Sequence, residues 1–286
     1  RGTVHFVAAQ DVHWLLELLT PRILAGALKR AEQIGLDGQT LSRCRALFRE
    51  ALAGGQQLTR AALLGVLEQA GIAIDAHRSY HIIWRLAQER LICFGPRAGK
   101  QPTFVWLDDW VPPARPVERT EALRELAVRY FTSHGPATLQ DFVWWSGLRI
   151  SEARKAIESA PLAREMVNGE PAWCGEGAAD PATITPSAQL LPAFDEYLLG
   201  YKDRSAVLDR AHAIRIVPGR NGIFLPIAVV NGRVVGTWKR IVKSKGAVVT
   251  VAPFSGLSVA ARKQLRTAAD TYADFLSLPV ELQFEL

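Results

Sequence analysis

A chain of 286 residues, 49% hydrophobic and 22% charged, is long enough for two or three modules with real cores. Its longest apolar run, Ile223 to Val230, covers eight residues and contains Pro226; a membrane helix needs about 20, and no charged-then-apolar signal peptide opens the chain. Lys and Arg outnumber Asp and Glu by 34 to 28, a net charge of +6 that permits a polyanionic partner without requiring one.

Cys44, Cys93 and Cys174 are odd in number, far apart and in no CxxC pair. That argues against a disulfide framework or a cysteine zinc site and for a reducing cytoplasm.

In chain order, the strand-like "GTVHFV" comes first, and residues 1–36 form no complete module. An amphipathic helix is predicted over Leu41 to Leu52. It leads through "AGGQQLT" into a second helix with Thr59 as N-cap and Gly71 as its end. A third helix runs from about Ala76 to Arg90, and "LICF", "GPRAGKQP" and "TFVWL" follow as a hairpin. The layout then repeats. A helix near Val117 to Ser133 buries Leu123, Leu126, Ala127, Tyr130 and Phe131 at i, i+3, i+4, i+7 and i+8. Thr138 and Asp141 are spaced as a carboxylate capping box, a short helix holds Trp144 and Trp145, and a third helix starts at Ser151. "PLAREMV" and "EPAWC" flank Asn168-Gly169, a strong two-residue hairpin signal.

Three helices and a hairpin, twice over, is the plan of a winged helix, whose third helix can enter a major groove. The expected boundaries are 1–36 for an incomplete first region, 37–112 and 113–176 for two winged helices, and 177–286 for a C-terminal β-rich module. "WVPPARPVERT" and "GEGAADPATITPSAQ" serve as linkers. In the last module, β-rich runs surround Asn231-Gly232 and Lys245-Gly246, a helix spans about Ser258 to Phe275, and "PVELQFEL" is a final strand. The fold class is α+β, with tandem winged helices followed by a curled, barrel-like sheet.

Candidate binding residues are basic. In "AHRSYHIIWRLAQER", Tyr80, Ile83 and Ala87 are expected to pack inward, leaving His77, Arg78, His81, Arg85 and Gln88 for phosphates and base edges, or simply for solvent. His77 and His81 have the i, i+4 spacing of a zinc pair, but the HExxH glutamate is missing and Arg78 would repel a cation. Arg149, Arg154 and Lys155 open the third helix of the second unit, where positive charge opposes the helix dipole; phosphate contact and chance on a basic protein both explain them. Lys239, Arg240, Lys243 and Lys245 crowd one hairpin, either to meet a DNA backbone or to protect a sheet edge.

No GxGxxG, Walker loop or GxSxG elbow is present, and neither a metal nor a cofactor is expected. "LLPAFDEYLLGYKDRS" sets Asp195 and Glu196 side by side, where they cannot act as a pair on one substrate atom. Asp195 before an apolar turn suits a helix N-cap, and Glu196, Tyr197, Lys202 and Arg204 suit either an ion-paired clasp or a site.

"RGTVHFVAAQDVHWLL", "HGPATLQDFVWWSGL", "LLPAFDEYLLGYKDRS" and "VVNGRVVGTWKR" together resemble the bacterial AlkZ-like proteins, along essentially the whole chain. The resemblance implies three tandem winged helices, a β-barrel-like module and double-stranded DNA held in a basic channel; the segment with Lys202 and Arg204 is expected to clasp the last winged helix to that module and to line the channel. It implies a DNA glycosylase that acts on alkylated or crosslinked bases, as a monomer in the bacterial cytoplasm at the nucleoid. The family's catalytic motif, Gln-apolar-Gln or Gln-apolar-Asp, belongs to a first winged helix that is expected upstream of "RGTVHF". Gln56-Gln57 lacks the intervening residue, so no catalytic residue is assigned in this chain. The competing readings are a non-catalytic winged-helix transcription regulator and a protein-interaction scaffold.

Overall fold

A computed structural model describes residues 4–113, 116–177 and 185–285. Residues 114–115 of the first linker and 178–184 of the second lie outside the described residues, as do 1–3 and 286. The chain is α+β and divides into two units, residues 1–128 with 146–160 and residues 129–145 with 161–286.

The first unit begins with a helix that was not expected. Residues 9–11 form a 3-10 turn that leads into α1, Val12–Gln33, which contains Pro21. The expected helices follow. α2 (Gly38–Leu52) starts where the Asp37 carboxylate accepts the Thr40 amide at 2.7 Å, and β1 (Leu58–Thr59) leads into α3 (Arg60–Gln69). Thr59 caps α3 by accepting the Ala62 amide at 3.3 Å, and the helix closes at Gly71, whose φ of 73° is open to glycine without a Cβ penalty. α4 (Ala76–Gln88) is capped by Asp75, and β2 (Ile92–Ala98) and β3 (Gln101–Trp106) form the hairpin, giving a sheet of order β1-β3-β2. Leu41, Cys44, Phe48 and Leu52 of α2 recur at helical spacing and pack with Leu63, Leu67, Ile82, Leu86 and Ile92. Burying each such Leu, Ile or Phe contributes about 2 kcal/mol. Cys44 serves here as a small apolar side chain, and burial raises its thiol above the ordinary range.

After a short α5 (Leu107–Trp110) the order repeats as α6 (Arg119–His134), β4 (Ala137–Thr138), α7 (Leu139–Ser146), α8 (Ile150–Ser159), β5 (Ala163–Val167) and β6 (Glu170–Cys174). Its sheet, β4-β6-β5, has the same strand order as the first. Asn168 and Gly169 sit at φ 52° and 84°, the left-handed pair that a two-residue hairpin turn demands. α8 and the start of α6 belong to the first unit; the end of α6, α7 and the sheet belong to the second.

The rest of the second unit is built on β7 (Ala188–Leu191), β8 (Ile227–Val230), β9 (Arg233–Lys243), β10 (Gly246–Pro253) and β11 (Val280–Phe284), in the order β11-β10-β9-β8-β7. β10 and β11 are parallel, joined by the crossover helix α11 (Val259–Leu276). α11 lays Ala261 and Leu265 on Ala228, Val230, Trp238, Val249 and Val251. The segment 192–226, with α9 (Glu196–Leu199) and α10 (Ala213–Ile216), brings Leu198, Leu208 and Ile216 onto Ile227, Val229 and Val234 of the opposite face. The expected curled, barrel-like sheet does not close: no closed barrel is found among the described residues, and β7 and β11 end the sheet as separate edges. Side chains packed on the sheet from outside bury its apolar residues, so closure is not needed to hide them.

Candidate nucleic-acid interface

α4 lays Ile83 and Ala87 against the core as expected, but not Tyr80. Ser79, Ile82 and Leu86 are buried, whereas Tyr80 is 53% exposed, so the inward placement of Tyr80 is corrected. The reason is α1, which packs against α4 and lines a shallow cleft through Ala27 and Ala31, with His81, Trp84 and Arg85 on the other side. Burial, followed by the charges of Arg30 and His77, depresses the His81 imidazole below its usual value. Arg85 turns to Glu89 at 2.5 Å, where Arg45 also binds at 2.7 and 2.8 Å. Burial alone would raise the Glu89 carboxyl, but the hydrogen bonds and charges of Arg45 and Arg85 hold it below the ordinary range. Arg78 is half-buried, with Nη1 3.2 Å from where a side chain at Gly35 would begin. His77 remains exposed beside Tyr80. Gln88 is buried, at 8% exposure.

α8 keeps Arg154 and Lys155 exposed in the same unit. Arg149, also exposed, stands at the N-cap, where its amide donates to Glu152 at 3.2 Å. Arg119 neutralises that carboxylate at 2.5 Å. Sequence reasoning passed over Arg97 and Lys100, which are exposed around the β2–β3 turn. Both lie in "GPRAGKQP", a turn that carries two cations within four residues.

In the second unit, Lys239 and Lys243 share one face of β9, with Lys245 in the turn that follows. Lys239 pairs with Glu285 at 2.6 Å, and Arg240, on the other face, bonds the Tyr272 hydroxyl. Lys243 and Lys245 are exposed and form no ion pair among the described residues.

The segment 190–205 is a polar clasp. The Asp195 carboxylate accepts the Tyr197 amide at 2.8 Å and caps α9. Glu196 instead accepts from Trp145 Nε1 at 2.9 Å and lies 3.7 Å from His134 Nε2. Tyr197 donates its hydroxyl to Gly232 O at 2.5 Å, and Tyr201 donates to His134 O at 2.9 Å. Burial, reinforced by the Asp141 charge, pushes the Tyr201 hydroxyl up to about 12, so it stays a donor. Gly200 must be glycine, because a Cβ there would meet His134 Cδ2 at 2.5 Å. The Lys202 amide donates to Asp141 at 2.8 Å, its Nζ lies 3.3 Å from Gln140 Oε1, and Arg204 Nε donates to Leu198 O at 2.5 Å. α6 and α7 are thereby tied to the C-terminal sheet, and Asp195 and Glu196 point to separate tasks.

The basic residues thus fall into groups on α4, on α8, on the clasp and on the β9–β10 hairpin. Among the described residues, no group of three His, Cys, Asp or Glu side chains could hold a metal ion, and no helix is long and apolar enough to cross a membrane.

Comparison with known proteins bears on what these elements are. The curated interstrand DNA cross-link repair glycosylase of Streptomyces sahachiroi is 29% identical over 167 residues, which are 54% of this chain and 44% of that protein. The match therefore spans less than half the length of that relative. The solved structure of the Streptomyces sahachiroi DNA glycosylase AlkZ matches with a TM-score of 0.72 at 24% identity, over 96% of this chain and 77% of that one, a likeness of fold. The family described as DNA glycosylase AlkZ-like matches residues 1–275, and the chain belongs to that family.

Proposed function

We propose that the chain grips double-stranded DNA as part of a DNA-repair glycosylase that removes alkylated or crosslinked bases. Residues 37–112 and 113–176 act as winged helices, and 177–286 act as a β-rich module against the DNA backbone. The observation that carries this reading is the recurrence of one arrangement, β1-β3-β2 and β4-β6-β5, each sheet with its own helices, in a chain of the AlkZ-like family. Exposed cations at the β2–β3 turn, on α8 and on the β9–β10 hairpin suit phosphate contacts. The protein works as a monomer in the bacterial cytoplasm, at the nucleoid.

The chemistry asked of such an enzyme is modest. An N7-alkylated purine is already cationic and leaves with little acid assistance, so a positioned water and a stabilised oxocarbenium-like sugar suffice. The same repeated sheets suit a second reading, a DNA binder without catalysis, because a winged helix binds DNA without requiring chemistry. One experiment tests both. The chain is titrated with duplex DNA by fluorescence anisotropy, then incubated with DNA containing N7-methylguanine and treated with alkali. Binding without strand cleavage is expected from these 286 residues alone, and cleavage once an upstream winged helix with the triplet is joined to them. Absence of duplex binding would overturn the proposal, and binding without excision by the extended chain would favour the second reading.

A further inference from the structure

The aromatic side chains around the clasp are arranged for more than packing. Trp144 on α7 is 49% exposed, and Phe194, in the turn before α9, is 51% exposed. A single exposed ring is ordinary, but these two belong to one connected set of side chains. Phe194 also sits at φ 60°, a left-handed conformation that is strained for a bulky side chain. Arg204 lies between the rings: its Cζ is 5.7 Å from the Trp144 ring and 5.2 Å from the Phe224 ring, and Phe224 is 6.4 Å from Phe194. The side chains therefore follow one another as ring, guanidinium, ring, ring. The Arg204 Nε bond to Leu198 O, at 2.5 Å, fixes the guanidinium, since Leu198 is itself buried at 2% exposure.

Two cations, Arg204 and Lys202, border this ladder. Lys202 Nζ lies 3.3 Å from Gln140 Oε1, and Gln140 stands one helical turn from Trp144 on α7. The nearby carboxylates are oriented by neutral donors: Asp141 accepts the amides of Lys202 and Asp203, Asp203 bonds Ser205, and Glu196 accepts from Trp145. Flat π-faces beside fixed cations match a nucleobase with its phosphate better than they match an apolar protein surface.

We propose that the ladder of Trp144, Arg204, Phe224 and Phe194 receives an unstacked nucleobase, with Lys202 on the flanking phosphate. This rests on the DNA-binding reading above and deepens it, because it assigns the clasp a role toward a base that has left its stack.

The test compares a fully paired duplex with the same duplex carrying one unpaired 2-aminopurine, each bound by the full chain. Trp144→Ala and Phe194→Ala should each lose about tenfold in affinity for the unpaired site while changing paired-duplex affinity by less than about twofold. Trp144→Phe, which keeps a ring, should retain most of the affinity, and it guards against a folding defect in the alanine variant. Quenching of the 2-aminopurine on binding should fall in parallel. Equal losses on both duplexes, or no loss on either, would overturn the ladder as a base-stacking surface. Failure of the unaltered chain to bind either duplex would instead overturn the DNA-binding reading itself.

Discussion

The Asp141 carboxylate accepts the backbone amide of Lys202 at 2.8 Å, 61 residues along the chain. Its other oxygen accepts from the amide and hydroxyl of Thr138 at 3.0 and 2.7 Å, so one side chain both caps α7 and anchors the clasp. Asp141 is 6% exposed, and its loss strands several donors away from water. Asp141→Ala should therefore cost about 3 kcal/mol, and Asp141→Asn, which keeps one acceptor oxygen, about half as much. Urea unfolding measures both, with m unchanged. A loss under about 1 kcal/mol for the alanine variant would separate the clasp from this carboxylate.

Asp195 and Lys202 should part company in experiment. Asp195→Ala removes an N-cap, worth about 1 kcal/mol, and should lower the melting temperature with little direct effect on DNA affinity. Lys202→Ala, at an exposed position, should leave melting nearly unchanged and weaken DNA binding. If Asp195→Ala left unfolding untouched yet abolished base excision in an extended, active chain, Asp195 would belong to the active site.

The β9–β10 hairpin predicts a salt effect. Neutralising Lys239, Arg240, Lys243 and Lys245 together should weaken duplex binding and flatten its salt dependence. Lys239 and Arg240 already have partners in Glu285 and Tyr272, so Lys243 and Lys245 should carry most of the effect. Replacing those two with glutamine should reduce the slope of log K against log salt by about 1.8, at 0.9 per phosphate contact. An unchanged slope would remove the hairpin from the interface.

Glu89 predicts a pH effect of defined sign. Its folded-state pKa is depressed, so its contribution is present above the unfolded carboxylate value and is lost as pH falls through the lower folded value. Glu89→Gln should destabilise the first unit by about 2 kcal/mol at pH 7, since Arg45 and Arg85 lose their shared partner. The gap between variant and parent should narrow as both are acidified below about pH 4. Thermal unfolding at the two pH values measures this, and a gap that stayed constant would exclude ionised Glu89 as its source.

Local chemistry in the sequence determined much of this protein. Apolar spacing marked α2 and α6, and short-range hydrogen-bonding residues marked helix starts: Thr59 caps α3 and the Thr138–Asp141 pair caps α7, as their spacing indicates. Asn168-Gly169 and Asn231-Gly232 turn because both residues of each pair take positive φ. Even the N-cap role of Asp195 was legible, since a cap involves only the next two or three residues. What tertiary structure alone decided is which of several possible faces becomes covered. α4 has two apolar stripes, and its spacing does not say that α1 will close over His81 and Arg85 and leave Tyr80 outside. Nor does the alternation of "PVELQFEL" reveal that its partner is a parallel β10. Arg204 became the centre of an aromatic ladder because segments far apart in sequence, α7 and the residues near Phe224, meet around it. Periodicity records which side chains share a face, but the partner that buries or exposes that face comes from distant chain, and only packing of the whole core selects it.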